Sequence, residues 1–179
     1  MNNQYLLDHL RVIPDFPQKG IQFRDVTTLF KDAKCLDIME EEMYELYKDK
    51  GITKVVGIES RGFILAPAVA MELGAGFVPI RKPNKLPAET VSVTYQKEYG
   101  EDSIQMHKDA LKPEDVVLIH DDILATGGSI LAAVELVRKL GVKTIYANCL
   151  IELEGLNGKR FLADRGIDCD CMMGIEVDE

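Results

Sequence analysis

The chain has no tryptophan, four cysteines, three histidines, and fewer bases than acids: 21 lysines and arginines against 30 aspartates and glutamates. Each shortage excludes something. The formal charge of −9 argues against bulk binding to nucleic acid or an anionic membrane, because both need a basic surface. It leaves room for an anionic small molecule, since a local cluster of cations sets the field inside a cleft. Cys35, Cys149, Cys169 and Cys171 form neither a CxxC pair nor a disulfide framework, and are expected to be reduced thiols. His9, His107 and His120 are scattered without ligand spacing, so no dedicated protein metal site is expected. No apolar run could span a bilayer, and Met1–Leu10 lacks the basic start and apolar stretch of a signal peptide, so a cytoplasmic protein is expected. Neither the Walker A lysine with its GK[ST] nor a GxGxxG is present, which excludes the two commonest nucleotide-binding loops.

What is present is enough for one domain spanning residues 1–179, with a sizeable core at 46% hydrophobic composition. Met1–Leu10 suits a short helix. Ile13–Asp25 holds two prolines and a glycine and is expected to be an irregular arm. Ala33–Lys50 carries Leu36, Met39, Met43, Leu46 and Tyr47 on one helical stripe, and Gly51 is a suitable stop. Strand and helix then alternate. Strands are expected at Lys54–Ile58, Gly76–Ile80, Asp115–Asp121 and Lys143–Ile151, and helices at Phe63–Leu73 and about 128–140. Apolar strands separated by helices imply an α/β fold, with a central mostly parallel sheet covered by helices on both faces. The segment 86–111 breaks the pattern. Thr90, Ser92, Thr94 and Gln96 alternate with Val91, Val93 and Tyr95, which predicts an exposed polar hairpin, either a lid or a plain surface hairpin.

Ligands of parallel sheets sit at the carboxyl ends of the strands, which selects three turns: Glu59–Gly62, Arg81–Pro87 and Asp121–Ser129. In the third, a strand delivers Asp121 and Asp122, and then "ATGGS" opens a helix. The glycines Gly127 and Gly128 allow close backbone approach. The amides of Ala125–Ser129 lie at a helix N-terminus, which favours an anion, and Thr126 and Ser129 add hydroxyls. Two carboxylates beside a phosphate need something between them. The vicinal diol of a phosphorylated sugar is one solution and Mg2+ is another; a solvated acid pair is the plain alternative. The second turn places Arg81, Lys82 and Lys85 within five residues and the first adds Arg61, which is either a basic loop or a polyphosphate clamp.

On these residues the sequence resembles a known family. "VVLIHDDILATGGS" is similar to the signature of the type I phosphoribosyltransferases that binds 5-phosphoribosyl pyrophosphate (PRPP). The blocks "PDFPQKGIQFRD", "ESRGF", "IRKPNKLP", "YQKEYG" and "IELEGLNG" follow in the order of its adenine-specific members. The resemblance implies purine salvage, with transfer of the phosphoribosyl group to adenine to give AMP and pyrophosphate. It implies Mg2+ carried mainly through PRPP, and a homodimer. Asp121 and Asp122 would hold the ribose hydroxyls, and Ala125, Thr126, Gly127, Gly128 and Ser129 the 5′-phosphate. Ser60, Arg61, Arg81, Lys82 and Lys85 would take the pyrophosphate, next to a cis bond between Glu59 and Ser60. Gln22, Phe23 and Arg24 of the arm at about 13–25, with Leu153, would hold adenine. Glu98, in the lid hairpin at about 86–111, would be the catalytic acid that closes over the base, and the PRPP loop would span 121–129. Gln22 stands where an apolar residue is common, and His120 stands where an aliphatic is usual and is read as a strand histidine. The stretch 161–179, with Cys169 and Cys171, matches least. Two other readings remain: a phosphoribosyltransferase for another purine such as xanthine, and a PRPP-sensing regulator without catalysis. Such a regulator needs a DNA-binding unit, and the roughly 50 residues before the first core strand carry an acidic helix and no basic patch.

Overall fold

The computed structural model describes residues 4–96 and 100–177. Helix α1 (Gln4–His9) leads into two short strands, β1 (Arg11–Pro14) and β2 (Gln22–Asp25), and then helices α2 (Thr27–Phe30) and α3 (Ala33–Tyr47). The alternating region runs β3 (Lys54–Ile58), α4 (Gly62–Glu72) and β4 (Gly76–Ile80). It continues through the hairpin β5 (Thr90–Gln96) and β6 (Glu101–His107) to β7 (Val116–Leu124), α5 (Gly128–Lys139) and β8 (Thr144–Leu153). A 3-10 turn (Glu154–Leu156), helix α6 (Gly158–Ala163) and strand β9 (Cys169–Ile175) finish it.

Five strands form one sheet in the order β4-β3-β7-β8-β9, and every pairing in it is parallel. The expected α/β architecture is therefore the observed one. After β3 the chain first moves to one side of the sheet, to β4, and later to the other side, to β7. The reversal lies between β3 and β7, and in such sheets this switch point opens a crevice at the strands' carboxyl ends. Two apolar layers cover the faces. One, with Met39, Met43, Leu65, Val69 and Leu118, lies under α3 and α4. The other, with Ile119, Ile130, Val134, Leu136 and Leu162, lies under α5 and α6. Burying one such side chain contributes about 1.5–3 kcal/mol, so the sheet is held rigidly from both sides.

The structure corrects the sequence reading in four places. The arm is not wholly irregular, because Arg11–Pro14 pairs antiparallel with Gln22–Asp25. Asp25 fixes that pair: it accepts from Arg11 Nε at 3.0 Å and from Thr27 N at 3.0 Å, and the Thr27 hydrogen bonds hold its carboxyl down at about 2. The hairpin is not exposed on both faces, because Val93, Ile104 and Met106 are buried in the layer with α5. Its alternation marks one docked face and one wet one. Strand β7 continues past Asp121 to Leu124, so the acid pair sits inside the strand rather than at its end. Strand β9 was not expected, because its Cys- and Met-rich sequence has only one β-branched residue, Ile175, of the kind that marks a strand.

His120 lies fully buried on β7, with Nδ1 3.1 Å from Asn148 Oδ1 on β8. Burial pushes its imidazole down to about 4. The unfolded chain takes up that proton near pH ~6.5, the folded chain only near 4. The neutral ring therefore adds stability fully above about pH 6.5, and that contribution is lost as the pH falls toward 4. The expected outcome is that His120→Asn flattens the fall in Tm between these two pH values. A variant whose Tm falls as steeply as the wild type in that window would refute the assignment.

Candidate active site

A cleft of about 830 Å³ opens at the carboxyl ends of the central strands. Its floor comes from β7. Asp122 is 4% exposed, and Asp121 accepts the Asp122 backbone N–H at 2.9 Å through Oδ1. Burial and the neighbouring Asp122 charge push the Asp121 carboxyl well above the usual range. Asp122 keeps its charge company differently: the Arg61 guanidinium, from the turn before α4, is ion-paired with it. The acid pair is tolerated on the floor because a cation from the neighbouring strand's turn offsets the charge of Asp122.

One wall is the turn 125–129, whose residues Ala125, Thr126, Gly127, Gly128 and Ser129 all line the cleft. Gly127 is the N-cap of α5 at φ 87°, and no side chain caps the helix. The first N–H groups of the 12-residue helix are thus left for a ligand, with the helix dipole behind them. The turn is backed by α6: a Cβ on Gly158 would lie 2.1 Å from Ala125 O, and one on Gly127 3.0 Å from Gly158 O. No side chain fits at either position, so the glycines set how closely α6 presses the turn into shape.

The opposite wall holds Glu59, Ser60, Arg61 and Lys82. The Glu59–Ser60 peptide bond is cis, as the resemblance implied, and so is Phe16–Pro17, which nothing in the sequence suggested. Arg81 and Lys85 are not among the residues lining the cleft. Glu59 turns Arg81 aside, accepting from Nη2 at 3.0 Å and Nε at 3.2 Å, and Arg81's hydrogen bond holds the Glu59 carboxyl low. Lys85 is exposed on the same turn. The third side is mixed: the aromatic Phe23, flanked on the arm by the polar Gln22 and the cationic Arg24, faces the cleft together with Leu153. Glu98 lies outside the described residues.

The cleft also contains residues that the sequence reading did not single out, among them Ile21, Ile123, Leu156 and Tyr95. Tyr95 comes from the hairpin. Its hydroxyl donates to Asp102 Oδ2 at 3.3 Å, and burial together with the Asp102 charge pushes it up to about 12. Hairpin residues reach the cleft through long-range packing that strand periodicity cannot reveal. The signal available in the sequence was the alternation itself, which places Tyr95 on the same face as the buried Val93.

A model of the phosphoribosyl transferase domain matches residues 25–171. The adenine phosphoribosyltransferase of Bacteroides fragilis is 57% identical over 176 residues, covering 98% of this chain and 99% of the relative. The crystal structure of the enzyme from Giardia lamblia, complexed with 9-deazaadenine, superposes with a TM-score of 0.93 at 43% identity, covering 99% of both chains. The enzyme from Saccharomyces cerevisiae was crystallised with adenine and D-2,5-dideoxy-2,5-imino-altritol 1,6-bisphosphate. It superposes at 0.85 with 37% identity, over 95% of this chain and 96% of its own. The chain belongs to the phosphoribosyltransferases, and within them to the adenine phosphoribosyltransferase family.

The ion pair at the cleft floor is testable by itself. Arg61→Met leaves Asp122 buried without its partner, and should cost about 1–2 kcal/mol by urea unfolding. A fully buried pair would cost more, but the Arg61 side chain is 43% exposed. Adding Asp122→Asn should recover most of that loss. Strictly additive effects of the two changes would show that the pair does not hold the floor together.

Proposed function

We propose that the cleft transfers the 5-phosphoribosyl group of PRPP to adenine, giving AMP and pyrophosphate. The observation that carries this reading is the meeting of three unlike surfaces in one cleft. An uncapped helix N-terminus lies at one end, the acid pair on the floor, and the cations Arg61 and Lys82 on the far wall. Together they match a ligand with phosphate at both ends and a diol between.

In this assignment the turn 125–129 holds the 5′-phosphate, and Asp121 and Asp122 accept the ribose hydroxyls. Ser60, Arg61 and Lys82 face the pyrophosphate. Arg81 and Lys85 contribute charge from the rim. Phe23 and Leu153 sandwich the base, with Gln22 and Arg24 beside its edge. The chain's work is then to place the adenine nitrogen in line with the C1–pyrophosphate bond, and to set fixed positive charge where the leaving group gathers electrons. The sequence resemblance gives Glu98 the proton-transfer role at the base.

The reading also includes Mg2+. Among the described residues no group of three or more His, Cys, Asp or Glu side chains could hold a metal ion, and Asp122 is engaged by Arg61. The donor set therefore suits a cation carried in on the ligand's own phosphate oxygens, where it would offset charge on the leaving group. Helix α4 is apolar nearly all round, yet Ile64 and Met71 are 46% and 80% exposed on it. An uncovered apolar helix of this kind supports a homodimer. The four free cysteines suit the reducing cytoplasm.

Supplied with PRPP, Mg2+ and one nucleobase at a time, the protein should release pyrophosphate with adenine at least about 100-fold faster than with hypoxanthine, guanine or xanthine. A site built to hydrogen-bond one base edge rejects analogues that leave its polar groups unpaired. Faster release with xanthine than with adenine would overturn the substrate assignment.

A further inference from the structure

Lys82 faces the pyrophosphate end of the cleft, yet its ammonium is already engaged. It is ion-paired with Asp102, which reaches across from β6 of the hairpin. The same carboxylate oxygen accepts the Tyr95 hydroxyl at 3.3 Å, and the other accepts the Ser103 backbone N–H at 2.9 Å. The Tyr95 ring in turn lies against the phosphate turn: a Cβ added to Gly128 would sit 3.5 Å from it. One hairpin carboxylate thus holds a cleft cation, while an aromatic bonded to that carboxylate touches the 5′-phosphate end. The pair is only partly shielded, with side-chain exposures of 40% for Lys82 and 19% for Asp102. A multiply charged ligand can therefore compete for the ammonium.

The cleft cations are balanced in two different ways. Arg61 is held by Asp122, which belongs to the floor and is needed there. Lys82 is held by a carboxylate that is not among the residues lining the cleft and belongs to a separate two-stranded sheet. A negative charge placed against a cation offsets much of its attraction for a third group. Pyrophosphate arriving at Lys82 must share the ammonium with Asp102, or displace it. We propose that Asp102 is a positioning residue acting through Lys82: it parks the ammonium at the cleft wall and, by competing for it, keeps the grip on pyrophosphate loose enough for release. This rests on Lys82 facing the pyrophosphate, as assigned above.

The test is calorimetric titration of inorganic pyrophosphate with Mg2+ into wild type, Asp102→Asn, Asp102→Ala, Asp102→Glu and Lys82→Met. Asp102→Asn keeps the shape and an acceptor for Tyr95 but removes the charge. It should tighten pyrophosphate binding about two- to fivefold, the range of a partly exposed ion pair. Asp102→Ala should move the affinity in the same direction, so a folding defect in one variant does not decide the matter. Asp102→Glu should restore wild-type affinity, and the gain in Asp102→Asn should shrink as salt is raised. A residue that merely braces the hairpin would give weaker or unchanged pyrophosphate binding on losing its charge. Either result would overturn the inference. Lys82→Met separates the two levels. If it weakens pyrophosphate binding while Asp102→Asn fails to tighten it, the inference falls and the assignment of Lys82 stands. If it leaves the affinity unchanged, the assignment falls and the inference goes with it.

Discussion

The buried Asp122 carboxylate, set beside Asp121 on the cleft floor, needs a cation that stays with it. The Arg61–Asp122 pair meets that constraint, and much of the fold serves it. Arg61 stands at the start of α4, and Asp122 stands late in β7. They meet because β3 and β7 are adjacent in the sheet and the turn after β3 rises beside β7. Gly62 makes the approach close enough, since a Cβ there would lie 2.8 Å from the His120 carbonyl oxygen. The chain reversal between β3 and β7 therefore brings a turn cation over a strand acid, and the switch point becomes a site rather than a gap.

Three cations at the cleft and its rim are each engaged by a carboxylate of the protein. Arg61 is held by Asp122 and Lys82 by Asp102, while Arg81 is drawn away by Glu59. Cations held by protein carboxylates are positioned before a ligand arrives, although a ligand at Lys82 must share it with Asp102 or displace it. In a chain of net charge −9, each of these cations is thus held by a carboxylate of its own. Family membership and geometry are separate supports: the relatives identify the class of protein, and the cleft says which residues are placed to share the work.

Much of this was legible in the sequence, for physical reasons. Strands β3 and β4 were readable to the residue, because buried parallel strands are short continuous apolar runs closed by turns. The turn 125–129 was readable as a helix start, because two glycines follow an apolar strand and precede an apolar helical run. What could not be read was whatever depends on distant partners. Arg81 looked equivalent to Lys82 until Glu59 was seen to capture it. Asp102 and Tyr95 looked like ordinary hairpin residues, because only docking against α5 turns Tyr95 toward the cleft and brings Asp102 to Lys82. Strand β9 hid in a Cys- and Met-rich stretch whose burial is set by its neighbour β8.

The central claim is that the cleft has two separate anion ends joined by a sugar floor. It is tested most directly by titrating AMP into protein saturated with pyrophosphate and Mg2+, and comparing the result with protein lacking pyrophosphate. If the 5′-phosphate occupies the turn 125–129 and pyrophosphate the Arg61–Lys82 wall, AMP binds in both cases with a similar Kd and a stoichiometry of one per chain. If pyrophosphate abolishes AMP binding in a competitive manner, the two anions share one end and the account is wrong.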